Sequence, residues 1–250
     1  MTLLAINALC KNFGGLKALS DVSFAVERGS IHGLMGANGA GKTTLFSIIA
    51  GNAKPTSGRV FFDGDPIQGR RPDTICRLGI ARTFQIVRPF PGLSVRRNVE
   101  TAILYGRQEH VGTADAEREA DRILAEIGLA DAADKPASTL TLSGRKRLEV
   151  ARALGTGPKL LMLDEVMAGL TPTEVTEMMQ TIRRVKEAND LTVLIIEHVV
   201  SALSDLSDRI TVLHHGVKIA EGTAREIAEN KDVQSAYFGE DDDAGLDDDV

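Results

Sequence analysis

The chain has 250 residues, 43% of them hydrophobic, enough to bury a sizeable core in one large domain or two small ones. Its formal charge of −6 is concentrated in the closing stretch EDDDAGLDDDV, whose seven carboxylates meet no base; without them the remainder carries +1. A near-neutral body excludes a global basic field that would draw it onto nucleic acid, so no nucleic-acid partner is expected, and the acidic end is expected to be solvated and disordered. Cys10 and Cys76 are too far apart for a CxxC metal or redox motif, and both are expected to be reduced thiols of a cytosolic protein. The opening MTLLAINALCKNFGG has neither a basic start nor a cleavage site, so it does not read as a signal peptide. No apolar run approaches the ~20 residues a bilayer requires, and the strongest, Leu191 to Val200, is interrupted by Glu197 and His198. Any membrane is therefore expected to be reached through a partner.

The first thirty residues alternate apolar and polar side chains around FGG and ERGS, which predicts strands joined by tight turns. SIHGLMG predicts a short strand running into a glycine-rich loop, and KTTLFSIIAG an apolar helix closed by Gly51. KPTSGRVFFDGDPI predicts a further strand and turn. From Ala114 to Gly128 the apolar positions Ala116, Ala120, Ile123, Leu124 and Ile127 recur at helical spacing. KLLMLDE predicts a short buried strand. Thr171-Pro172-Thr173-Glu174 is a capping box with proline at the first helical position, opening a helix with Val175, Met178, Met179, Ile182 and Val185 on its apolar stripe. LTVLIIEH is a continuous apolar strand of the kind buried on both faces of a parallel sheet. Strands alternating with helices make the fold class α/β.

GANGAGKTT, residues 36 to 44, satisfies G-x-x-x-x-G-K-[ST] between a predicted strand and a predicted helix. Gly36, Gly39 and Gly41 permit positive φ angles, so successive backbone N–H groups of Gly36, Asn38, Gly39, Ala40, Gly41, Lys42, Thr43 and Thr44 can turn toward one anion at a helix start. Lys42 is expected to reach the β and γ phosphates of a nucleotide, and the Thr43 hydroxyl to coordinate Mg²⁺. The second half of the site is LLMLDE, where Asp164 and Glu165 follow a hydrophobic run at the C-terminal end of a strand. Asp164 there can hold the metal through water, while Glu165 can orient an attacking water and accept its proton. An acidic pair after a strand is otherwise the start of a helix; the phosphate loop tips the reading toward catalysis. His198 occupies the same sheet edge and is a candidate γ-phosphate contact.

These pieces in this order resemble the ATP-binding cassette family over nearly the whole chain up to about Gly239. ARTFQIVRPFPGLSVRRNVE, LEVARAL, DEVMAGLTPTE, IIEH, SDRITVLHHGVKIAEGT and VQSAYFGE look most like the ATPase subunit of branched-chain amino acid importers. The resemblance implies a P-loop NTPase fold with a mixed core sheet, an N-terminal antiparallel β subdomain and a helical signature subdomain at about 87–158, all within an ATPase domain spanning 1–239. It implies ATP and Mg²⁺ as cofactors. It makes Gln85 the glutamine that contacts Mg²⁺ and relays the nucleotide state to membrane subunits. It puts Phe13 where the family stacks an aromatic ring on adenine, a core Phe being the alternative, and AGLTP where the family's subunit-contact loop follows the catalytic Glu.

In these cassettes a loop reading roughly L-S-G-G-Q, ahead of a helix of the ARAL type, closes over the ATP bound to the opposite subunit. The stretch LTLSGRKRLEVARAL offers two registers for it, Leu142 to Lys146 by eye and Leu140 to Gly144 when counted back without a gap. Both contain Ser143 and Gly144, a hydroxyl and an amide beside a helix start. Arg145 and Lys146 are expected to support the loop or face solvent. The loop departs from the family pattern in either register, so weakened hydrolysis is expected at the ATP it covers.

The resemblance further implies a second ATPase subunit, identical or not, integral membrane permease subunits, and a periplasmic or extracellular solute-binding protein acting indirectly. It places the chain peripherally on the cytoplasmic face of the membrane. Rival readings are an importer of urea or amides, a degenerate ATP-binding subunit, and a cassette regulator without transport. The last usually carries coiled-coil insertions or two cassettes in one chain, and neither is present here.

Overall fold

The computed structural model describes residues 1–84 and 89–238. Gln85 and the acidic stretch 240–250 lie outside the described residues. Two long strands, β1 (Thr2–Phe13) and β2 (Leu16–Glu27), pair antiparallel, and β4 (Ser57–Phe62) and β5 (Asp65–Pro66) extend them into a sheet ordered β2-β1-β4-β5. The turns at FGG and ERGS fall where the alternating pattern predicts them.

The second sheet carries the chemistry. Its order is β10-β9-β3-β8-β7-β6, formed by β3 (Ile31–Met35), β6 (Ile80–Arg82), β7 (Leu160–Asp164), β8 (Thr192–Ile196), β9 (Arg209–His214) and β10 (Val217–Gly222). The first five strands in space from β6 to β9 run parallel and β10 closes the edge antiparallel, so the sheet is mixed as expected. Every residue of β3, β7 and β8 is buried, the signature of strands covered on both faces.

Alternate side chains of these strands enter two different cores. Leu161, Leu163, Val193 and Ile195 point to one face, where α3 (Val95–Gly106), α4 (Thr113–Glu126), α5 (Leu142–Gly155), α6 (Pro172–Ala188) and α7 (Val200–Leu206) contribute Val99, Leu124, Leu148, Ile182 and Leu203. Leu160, Met162, Leu194 and Ile196 point to the other, against α1 (Lys42–Ile49), α2 (Pro72–Arg77) and the antiparallel sheet. Each fully buried Leu, Ile or Met contributes about 1.5–3 kcal/mol of transfer free energy, which is ample reason for such strands to lie at the centre. Two short helices, α8 (Ala224–Ala228) and α9 (Lys231–Phe238), follow β10.

Local signals set the helix limits. Thr171 and Glu174 make the reciprocal capping box of α6, with Pro172 at its first position. The five apolar positions predicted for α4 are all buried. α3, α4 and α5 pack on one another. One boundary differs from the sequence expectation: β8 ends at Ile196, and Glu197 and His198 have already left the ladder.

Candidate active site

The turn from β3 into α1 uses backbone conformations that glycine adopts without strain. Gly36, Gly39 and Gly41 have φ of 157°, 81° and 102°. A Cβ on Gly41, the N-cap of α1, would lie 2.6 Å from the Ala18 carbonyl oxygen, and one on Gly36 would lie 2.4 Å from that of Leu213. Segments far apart in sequence therefore close on the loop from both sides. The Gly216 N–H, in the turn between β9 and β10, donates to the Ala40 carbonyl at 3.1 Å, and the Ser20 N–H donates to the Gly216 carbonyl at 2.8 Å.

Lys42 opens α1 and is buried, its Nζ donating to the carbonyls of Gly36 at 2.5 Å and Ala37 at 2.9 Å. Burial holds its ammonium pKa below the ordinary lysine value, with Glu165 and Asp164 acting in the opposite sense. Around the loop lies a cleft of about 510 Å³ bounded by Phe13, Lys17, Asn38, Thr43, Glu165 and His215, among others. Phe13 is 52% exposed, with Lys11 Nζ 4.7 Å from its ring centre, so it belongs to the cleft wall and not to the core.

The carboxylates stand at the C-terminal end of β7. Asp164 is buried, and its Oδ2 accepts from Arg82 Nη2 at 2.7 Å. Its N–H donates to Thr83 Oγ1 at 3.0 Å. Arg82 reaches it from the neighbouring strand β6, lying against the Phe46 and Phe84 rings and donating also to Ser47 Oγ at 3.2 Å. Glu165 has a φ of 52°, left-handed backbone that costs a non-glycine residue roughly 1–3 kcal/mol. Its N–H donates to the Ile196 carbonyl at 3.0 Å and its own carbonyl accepts from Lys146 Nζ at 2.9 Å. Its Oε1 lies 2.7 Å from His198 Nε2. The sheet thus brings Asp164, Glu165 and His198 to one edge, with Glu165 also lining the cleft beside Lys42.

Glu197 turns inward between them. It is 4% exposed; Oε1 accepts from the Met167 N–H at 2.8 Å, and Oε2 has no hydrogen-bond partner among the described residues. Burial pushes its pKa up to about 7, against the pull of the Met167 amide and the Lys146 charge.

At the head of α5 the capping residue is Thr141, whose Oγ1 accepts from the Gly144 N–H at 3.2 Å. Ser143 and Gly144 are buried in the first helical turn, not in a loop. In the ungapped register Thr141 occupies the hydroxyl-bearing second position of the family pattern, and that is the residue at the helix N-terminus. Arg145 is exposed, whereas Lys146 is buried beneath the turn that follows β7.

The sequence names Lys146 only as a loop-supporting or solvent-facing base and Thr141 only within one of two registers, while Arg82, Thr83 and Glu197 are the members of this constellation that sequence reasoning missed. Only Glu197 left a signal, as a charge interrupting an apolar run. No group of three or more His, Cys, Asp or Glu among the described residues is placed to hold a metal. The donors at hand are the exposed Thr43 hydroxyl and the Asp164 carboxylate, a sparse oxygen set that fits Mg²⁺, which keeps waters and takes phosphate oxygens. The glycine cradle, closed to any Cβ at Gly36 and Gly41, fits a phosphate chain held by backbone amides.

The family described as ABC transporter matches residues 19–168, and that described as branched-chain amino acid ATP-binding cassette transporter matches residues 217–243. The chain is 37% identical to the high-affinity branched-chain amino acid transport ATP-binding protein BraF of Pseudomonas aeruginosa, over 95% of this chain and 98% of that protein. Against the corresponding LivG of Salmonella typhimurium the identity is 39%, with the same 95% and 98% covered. Among solved structures it is similar to the ADP conformation of an ATP-binding cassette of an ABC transporter, with a TM-score of 0.87 and 30% identity over 96% of this chain and 99% of that one. A dimeric post-hydrolysis cassette bound to ADP and Pi shares the fold at a TM-score of 0.79 and 23% identity, over 89% and 99% of the two chains.

Proposed function

Because the chain belongs to the ABC transporter ATP-binding family, we propose that it binds and hydrolyses ATP to power import of branched-chain or related amino acids through partner membrane subunits. The observation that carries this reading is the convergence of the buried Lys42 and the His198-bound Glu165 on one cleft. The amides of residues 36–44 hold the phosphates, with Asn38 at the cleft wall, and Lys42 exchanges its carbonyl partners for the β and γ phosphates. Phe13 stacks on adenine. Thr43, Asp164 and Gln85 are the residues that would hold Mg²⁺, which when bound neutralises phosphate charge. Glu165 accepts a proton from the attacking water; the new bond forms at the γ-phosphorus, the bond to the β–γ bridging oxygen breaks, and ADP and phosphate leave. His198 orients Glu165 and contacts the γ-phosphate.

The partner is a second cassette, identical or not, whose ATP is covered by the head of α5 with Ser143 and Gly144, Thr141 standing first. Closure on ATP moves the permease subunits and hydrolysis releases them. The ATPase domain is read as 1–239, with helices of about 87–158 as its helical subdomain. No helix among the described residues is long and apolar enough to cross a membrane. We place the protein peripherally at the cytoplasmic membrane face, served indirectly by a periplasmic or extracellular solute-binding protein.

Replacing Glu165 with Gln tests the reading. Mg·ATP affinity by calorimetry should stay within about threefold while turnover falls by about 10³ and a nucleotide-dependent dimer accumulates in size exclusion. Lys42→Ala should remove the binding itself. Unchanged turnover in E165Q, or ATP uptake untouched by K42A, would refute it.

A further inference from the structure

The geometry points to Lys146 as a positioning residue for Glu165, a role that rests on the hydrolytic reading above and deepens it. Lysine is almost never fully buried unless paired, yet Lys146 is only 5% exposed. Its Nζ donates at 2.9 Å to the carbonyl of Glu165, a non-glycine residue held in left-handed backbone. The orientation of that peptide sets where the Glu165 side chain leaves the chain. Several contacts fix the residue: the Ile196 carbonyl holds its amide, Lys146 at 2.9 Å and the Ala168 N–H at 3.3 Å both donate to its carbonyl, and His198 holds its Oε1. Two come from β8 and the loop after it. The Ala168 amide belongs to the turn after β7 itself, and the Lys146 amine comes from α5, the helix whose first turn carries Ser143 and Gly144.

Ser143, Lys146 and Glu149 recur every three residues on one buried face of α5. Glu149 Oε1 accepts from the Phe84 N–H at 3.0 Å, so the same stripe that grips the Glu165 peptide also grips the chain just before Gln85. A displacement of the α5 head by a nucleotide therefore reaches the carboxylate of the subunit's own site through a single side chain. Lys146 touches no reacting atom; it acts through Glu165.

The test uses the full chain in steady-state Mg·ATP hydrolysis, comparing wild type, K146M, K146R and E165Q. K146M should lose ten- to about a hundredfold in kcat, the cost of misplacing a reacting group by about 1 Å, with KM and the calorimetric Kd for Mg·ATP within about twofold. K146R, which restores a cationic donor, should recover most of kcat. If K146M does not fold, K146Q, with a donor and no charge, carries the same prediction of a lowered kcat at constant KM. A wild-type kcat in the Lys146 variants beside an inactive E165Q overturns this role alone, as does a fall in kcat matched by loss of ATP binding and not rescued by K146R. Absence of hydrolysis in wild type, or full hydrolysis by E165Q, overturns the reading of the site and this role with it.

Discussion

Glu197 makes the folded protein's stability depend on pH in a direction opposite to that of an ordinary paired carboxylate. Its folded pKa of about 7 lies above the value of 4.5 for a free glutamate, because burial disfavours its charge and Oε2 has no compensating partner among the described residues. The folded state therefore holds the proton more tightly than the unfolded chain. The contribution of Glu197 to stability is fully present below about pH 4.5, falls as pH rises toward 7, and levels off above. At about 1.4 kcal/mol per pKa unit, ionisation of this group costs the fold roughly 3 kcal/mol at pH 8, of which about 2 is incurred between pH 5.5 and 8. Glu197→Gln copies the shape of the protonated acid and keeps the acceptor for Met167, so it should be more stable than wild type at pH 8 by about 3 kcal/mol and by about half that at pH 5.5. Urea denaturation of both proteins at the two pH values reads this directly. Parallel profiles, with an offset that does not change with pH, would show that Glu197 is already ionised in the fold and refute the reasoning.

Arg82→Met strands the Asp164 carboxylate without its cation, and unfolding free energy should drop by about 3–5 kcal/mol. R82M/D164N should lose less than the two single variants combined, because the charge left behind is gone; full additivity in urea titrations would mean the pair is not coupled. Thr141→Ala removes the cap of α5 and should cost about 1 kcal/mol, while Thr141→Ser should keep nearly all of it, as thermal melts of the two would report. An equal loss in both would assign the effect to packing of the threonine methyl.

The phosphate loop, the acids after β7 and the α6 capping box were legible because each is local: a few adjacent residues specify a conformation by their own sterics. The continuous apolar runs of β7 and β8 announced buried strands for the same reason. Contacts that close long sequence gaps were not legible. Nothing within Arg82 or Asp164 says that β6 and β7 will be neighbours, and Lys146 read as a solvent-facing or supporting base because its spacing to Glu165 means nothing until α5 is laid across the sheet. The head of α5 was ambiguous by two residues because Thr141 and Ser143 both offer a hydroxyl; the bond from the Gly144 amide identifies the one that caps. Phe13 was open between core and cleft, and its exposure decides it.

The turn at Gly216 clasps Ala40 from one side while the strand carrying Ser20 clasps Gly216 from the other, so the phosphate cradle is assembled by parts of the chain that lie far apart in sequence. A nucleotide arriving there finds its amides already arranged and spends little on ordering them, which leaves more of the contact energy as affinity. The same clasp has a cost in tolerance. Disturbing the hairpin between β9 and β10, some 175 positions downstream of the loop it supports, should disarm nucleotide capture as surely as an injury to the glycines themselves.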